Sequence, residues 1–178
     1  TGKMFAIEYS GVEPDIMTFA KAISNGTPVG GFITSDKIAS SYKRPGASTF
    51  GGNPVTSVSA LATLDVINKY NLVDNAKTMG EYLKEKLKEL EGKYALIGDV
   101  RGRGLMLGAE LVNQGKEPAV QETDAILEYM KDKGVLIGKT GSNRNVLAFQ
   151  PPLIIDENNI DELTDVLDGA LKYVEERK

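Results

Sequence analysis

The chain has no cysteine and no histidine. Without thiols there is no disulfide, no thiolate nucleophile and no cysteine-ligated zinc. Without imidazole the Ser-His-Asp triad, histidine general bases and histidine-ligated metals go too, so any chemistry has to come from lysine, arginine, carboxylates, tyrosine, hydroxyls or a cofactor. An excess of positive charge is also missing. Lys and Arg number 21 against 25 Asp and Glu, a net charge of −4, which argues against a nucleic-acid partner, because neutralising phosphates takes a basic surface. No stretch approaches the roughly 18 uninterrupted apolar residues of a membrane span, so no membrane partner is expected. The chain opens on Thr1 to Ala6 with neither an initiator Met nor a basic-then-apolar address. The sequence therefore predicts a cytoplasmic protein whose start has been trimmed, or a piece of a longer one.

What is present is ordinary for a folded domain: 178 residues, 41% of them apolar and 26% charged, enough for one domain or two small ones. Asn25-Gly26-Thr27 matches a glycosylation sequon but reads as a turn.

Asp15 to Ala20 and Val29 to Ile33 read as strands separated by the turn residues Ser24-Asn25-Gly26-Thr27-Pro28, with no amphipathic helix of their own in the first 45 residues. They look like pieces of a larger sheet. Residues 44 to 54 form a Gly-rich loop running into a helix with Pro54 in its first turn. Val58, Leu61, Ala62, Leu64 and Val66 predict that this helix is mostly buried. Leu72, Ala76, Met79, Leu83, Leu87 and Leu90 predict an amphipathic helix ending near Gly92. Beyond it the pattern predicts strands at Leu96 to Val100 and Leu105 to Val112, a helix from Ala119 to Lys133, strands at Val135 to Ile137 and Val146 to Phe149, and a last helix carrying Ile160, Leu163, Leu167, Leu171 and Val174. That block is a compact α+β unit.

Three places carry residues suited to chemistry. Lys21 follows an apolar strand directly; by position alone it is a solvated lysine beside a turn, but a partly desolvated amine there can attack a carbonyl. Ser48-Thr49-Phe50-Gly51-Gly52-Asn53-Pro54 is either a flexible turn or an anion cradle ahead of a helix N-terminus. Val100-Arg101-Gly102-Arg103-Gly104-Leu105 places a guanidinium where it is either solvated or able to clamp a carboxylate in bidentate fashion. A dinucleotide fingerprint at Gly102-x-Gly104 fails, because an apolar strand follows where a helix should open. The charged runs at 81 to 91 and 172 to 178 read as solvated helix faces.

Gly11-Val12-Glu13-Pro14-Asp15-Ile16-Met17-Thr18-Phe19-Ala20-Lys21, followed by Asn25-Gly26-Thr27-Pro28-Val29-Gly30-Gly31, resembles the lysine signature of the class III pyridoxal-phosphate-dependent aminotransferases. The other two segments resemble that family's cross-subunit phosphate loop and its Val-Arg-Gly-x-Gly-Leu segment, in the family's order. The resemblance implies an α/β chain, a C-terminal fragment of fold type I: the edge of the large-domain sheet over residues 1–70, a linking helix over 71–95 and a small α+β domain over 96–178. It implies that Lys21 forms the Schiff base with pyridoxal 5'-phosphate. Thr49 would serve the cofactor phosphate of the neighbouring subunit of a homodimer, and Ser48 and Phe50 would be cofactor-binding as well. Arg101 would hold the substrate carboxylate, Arg103 would not, and Gln150 receives no role.

The implied activity moves an amino group from an amino acid, of the ω class in one version, to a 2-oxo acid by a ping-pong route. Gly138-Lys139-Thr140-Gly141 and Gln150-Pro151-Pro152 lean towards the 4-aminobutyrate and alanine:glyoxylate type 2 group. Two alternatives stand beside it: a racemase or aminomutase of the same fold, and a stable non-catalytic module able to associate but not to turn over. The family's enzymes are more than twice this length, so the chain alone is expected to be inactive.

Overall fold

The computed structural model describes residues 1–177; Lys178, the end of the second charged run, lies outside them. The chain divides into two compact units, Phe5–Leu72 and a second made of Thr1–Met4 with everything from Val73 onward. No helix among the described residues is long and apolar enough to cross a membrane.

In the first unit a 3-10 turn, Ala6–Ser10, is closed by Gly11 in the left-handed region at φ 63°. Strand β1, Ile16–Ala20, pairs antiparallel with β2, Gly30–Thr34, from Ile16 opposite Thr34 to Ala20 opposite Gly30. A second 3-10 turn, Lys21–Ser24, leaves β1. A single helical turn, α1 at Asp36–Ala39, is capped by the Ser35 hydroxyl. Helix α2 runs over Pro54–Lys69; Asn53 Oδ1 accepts from Thr56 N at 3.1 Å, and Pro54 occupies the first turn, where its missing N–H costs nothing.

The expectation that α2 is mostly buried is overturned: it has no buried residue, and Val55, Val58 and Leu61 are 74%, 63% and 61% exposed. Its composition is that of a helix with a covering layer on most sides, but no described residue covers that face.

The second unit holds the core. Helix α3 (Leu72–Lys93) leads to a four-stranded antiparallel sheet of β3 (Ile97–Arg103), β4 (Met106–Leu111), β5 (Gly138–Thr140) and β6 (Val146–Phe149), ordered β3-β4-β6-β5. Helices α4 (Val120–Asp132) and α5 (Glu157–Glu175) complete it. Leu83 and Leu87 of α3, Ile126 and Met130 of α4, Leu111, Leu147 and Phe149 of the sheet, and Ile160, Leu167 and Leu171 of α5 share one fully buried cluster. Their spacing explains why: β4 alternates inward Leu107, Ala109 and Leu111 with outward neighbours, and the α3 leucines recur every third or fourth residue.

The strand predicted at Val135 to Ile137 forms three residues later. Helix α4 ends in a Schellman cap: Gly134, at φ 85°, donates to Lys131 O at 2.9 Å, and Val135 N donates to Met130 O at 2.9 Å. Val135 is thereby consumed in closing the helix, and β5 can begin only after it.

Three backbones also cross closely in this unit. A Cβ on Gly80 of α3 would lie 2.1 Å from the Gly104 carbonyl carbon, and one on Gly104 would lie 2.6 Å from the Thr1 carbonyl carbon. Only glycine allows that approach.

Helices α3 and α5 are joined by two similar polar clusters seven residues apart. Asp161 accepts from the Tyr82 hydroxyl at 2.8 Å and pairs with Lys86 at 3.0 Å; Asp168 pairs with Lys93 at 2.6 Å. The Tyr82 hydrogen bond, then Lys86, holds the Asp161 carboxyl below its ordinary pKa, and Lys93 does the same for Asp168. A carboxyl whose pKa is lower folded than unfolded stabilises the fold above its unfolded value and loses that contribution as pH falls through the folded one. The thermal midpoint should therefore hold through neutral pH and drop below about pH 4, and the double variant Asp161→Asn, Asp168→Asn should flatten part of that drop in a calorimetric pH series.

Candidate functional site

Lys21 begins the 3-10 turn that leaves β1. Ala20 before it is extended, at φ −162° and ψ −170°. Lys21 itself is left-handed at φ 59°, a region costly for any residue that carries a Cβ and found where surrounding structure enforces it. Its side chain is exposed, and among the described residues its amine has no hydrogen-bond or ion-pair partner.

The turn is fixed from beneath. Ser24, 1% exposed, donates its hydroxyl to the Thr27 carbonyl, and Asn25 N donates to Ala22 O at 3.0 Å. Ser59 of α2 donates its hydroxyl to the Ser24 carbonyl at 2.9 Å. Thr27 Oγ1 is a buried side-chain oxygen left without a partner among the described residues. The Asn25-Gly26-Thr27 sequon is indeed a turn, with Asn25 at φ 49° and Gly26 at φ 119°.

The Ser48–Asn53 loop sits at the other end of the same support. Ser48 Oγ accepts from Gly51 N at 3.0 Å, and Asn53 Nδ2 donates to Phe50 O at 2.8 Å, with Gly52 at φ 70°. The Ser48 oxygen is thus spent on the loop. Thr49 is exposed and its hydroxyl has no partner among the described residues, and the Phe50 ring is 81% exposed. Asn53 and Ser59, at the two ends of this arrangement, are separated by six residues of helix, about 9 Å of rise.

Arg101 lies in the second unit, on β3. Its Nη1 donates to Asp99 Oδ2 at 2.7 Å and to Glu110 Oε2 at 2.7 Å. Asp99 stands directly opposite Glu110 across the β3–β4 pair. Two carboxylates so placed repel, and the guanidinium between them relieves the repulsion. They in turn raise its pKa, Asp99 contributing most and Glu110 next. The Nε and Nη2 edge is left over as a bidentate donor face. Arg103 has a partner of its own, and Gln150 is exposed just beyond β6.

The structure therefore brings Lys21, Ser48, Thr49 and Phe50 into one unit, with α2 linking their two segments, while Arg101 belongs to the other. Sequence reasoning missed Ser24, Thr27 and Ser59 around Lys21, and Asp99 and Glu110 around Arg101. Only Asp99 left a signal: two residues before Arg101 in a strand, it must share a face with it.

The family profile described as "Aminotransferase class-III" matches residues 1–171. The alanine–glyoxylate aminotransferase 2 homolog 2, mitochondrial, of Arabidopsis thaliana is 47% identical over 174 residues, 96% of this chain and 36% of that protein. The leucine/methionine racemase of Thermococcus litoralis is 40% identical over 179 residues, 99% of this chain and 40% of that protein. Among solved structures, an Arthrobacter phospholyase in complex with phosphoethanolamine superposes with a TM-score of 0.93 at 32% identity, over 97% of this chain and 42% of that one. The chain thus spans 36 to 42% of the length of these proteins.

Proposed function

The chain belongs to the class III aminotransferase family, and from that premise we propose that, within a whole protein, it holds pyridoxal 5'-phosphate at Lys21 and serves amino transfer from an amino acid to a 2-oxo acid. The observation that carries the proposal is Lys21 itself, an unpartnered amine on a backbone held left-handed at the end of a strand. The residues present suit such a group. Lys21 offers the amine, the buried Thr27 hydroxyl lacks a partner in the adjoining turn, and the Thr49 hydroxyl is available to an external anion.

The cofactor, when bound, supplies the electron sink that makes a substrate C–H bond acidic. The rest of the work falls to the chain. Lys21 Nζ would take the proton from the substrate carbon and hand it to the cofactor carbon instead of returning it, which needs an amine free of ion pairs, as Lys21 is. Thr49 would offer its hydroxyl to the cofactor phosphate of the neighbouring subunit in a homodimer, with Phe50 as a wall. Arg101 offers its Nε and Nη2 edge to the carboxylates of donor and acceptor in turn, in ping-pong order, while Asp99 and Glu110 fix its Nη1. Residues 5–72 would contribute to the cofactor domain, α3 would link, and the β3–β6 unit would form the smaller domain. The 178-residue chain by itself is proposed not to turn over.

A second reading is favoured by the relatives named as racemases, the Thermococcus protein among them. There Lys21 would remove the same proton and the chain would return it to the opposite face, with no acceptor consumed. The whole protein, given an amino acid with and without a 2-oxo acid, separates the two. Transfer predicts a new amino acid only when the 2-oxo acid is added. Racemisation in its absence, with no amino exchange, would replace the first reading by the second.

A further inference from the structure

The turn that Lys21 begins is hydrogen-bonded to a residue 38 positions beyond Lys21, in the middle of α2. The Ser59 hydroxyl donates to the Ser24 carbonyl at 2.9 Å. Ser24 is the last residue of the turn that Lys21 begins, is buried, and spends its own hydroxyl on the Thr27 carbonyl. The turn is therefore tied at its far end twice, once to the loop that follows and once to a rigid helix. Lys21, whose left-handed φ of 59° costs free energy, sits at the near end with no side-chain hydrogen bond or ion pair among the described residues. A strained backbone persists only where its surroundings over-determine it. The β1–β2 pairing that runs up to Ala20 and the packing of α2 against the turn hold its surroundings, and the two hydroxyl hydrogen bonds are the side-chain ties on the turn itself, beside the backbone bond from Asn25 N to Ala22 O.

We infer that Ser59, acting through Ser24, is a positioning residue for Lys21: it holds the turn in the backbone conformation that presents the amine. The inference rests on the proposed role of Lys21 and adds to it a residue of α2 that touches neither cofactor nor substrate.

The test uses the whole protein and the rate at which borohydride fixes pyridoxal phosphate on Lys21, read by peptide mass, together with amide exchange over residues 21–27. Ser59→Ala removes the donor and keeps a good helix former, so the fold should survive. Fixation at Lys21 should slow by about threefold to tenfold, the size that loss of one hydrogen bond carries, and the turn amides should exchange faster. In turnover, kcat should fall while KM for the donor stays within about twofold. Ser59→Thr, which keeps the hydroxyl, should restore all three. Ser57→Ala, an exposed position of the same helix with no side-chain partner among the described residues, should change none. Ser24→Ala supplies a second variant with the same expected direction. Unchanged fixation and exchange in Ser59→Ala, with Lys21 still the labelled residue, would overturn the inference and leave the Lys21 proposal standing. A label on another lysine in the unmodified protein would overturn both.

Discussion

Lys21→Ala in the whole protein is expected to lower amino transfer by roughly 10³-fold, in the range that loss of a positioned proton-transfer group produces, without unfolding the protein. The stability expectation follows from the contacts. Lys21 makes no hydrogen bond or ion pair among the described residues and its side chain is exposed, so truncating it breaks no polar contact and removes no buried side chain. Its left-handed backbone is strained for lysine and for alanine alike, so the substitution neither relieves nor adds strain. Activity and stability should therefore separate cleanly: transfer lost, thermal midpoint within about a degree or two. The borohydride label should vanish from the peptide containing position 21 and appear on no other. Undiminished transfer in this variant would end the assignment, and a large fall in midpoint would mean that the lysine braces the fold instead.

The largest structural effect is expected at Phe149→Ala. Phe149 ends β6, is 1% exposed, and lies in the cluster that joins helices α3, α4 and α5 to the sheet. Removing a fully buried phenyl costs about 3 to 5 kcal/mol, a large share of the roughly 5 to 15 kcal/mol that a domain has in all. The relevant measurement is the urea midpoint of the whole protein, with amide exchange in β3 and β4 reporting whether the sheet opens. A loss of less than about 1 kcal/mol would show that this core can collapse onto the cavity, contrary to its dense packing. By contrast Leu136, 82% exposed in the same stretch of chain, should tolerate alanine. The pair separates a packed apolar position of the second unit from a solvent-facing one.

Much of this architecture was readable from local patterns. The strand ending at Ala20, the helix with Pro54 in its first turn, the leucine stripe of α3 and the strand at Val146–Phe149 all formed where the sequence placed them. Each depends on residues within a few positions of one another, through strand alternation, side-chain caps and helical spacing. Two expectations failed for physical reasons that local patterns do not contain. Val135 looked like the start of a strand because it is β-branched and apolar, but the Schellman cap after Gly134 claimed its N–H. Helix α2 looked buried because it is apolar on several faces, but burial depends on what lies against a helix, which its own residues do not state.

The candidate site divides in the same way. The sequence by itself determined which side chains are available, a lysine after a strand, a hydroxyl-bearing loop before a helix, an arginine in a strand, and in what order they come, because these are matters of residue type and near neighbours. Only the tertiary structure decided how each is held. Ser59 meets Ser24 across 35 residues, and the partners of Arg101 are set by the register that puts Asp99 opposite Glu110. Such contacts form when chain closure brings distant segments together, and the entropy of that closure is offset by packing spread over the whole unit rather than by any short run of residues.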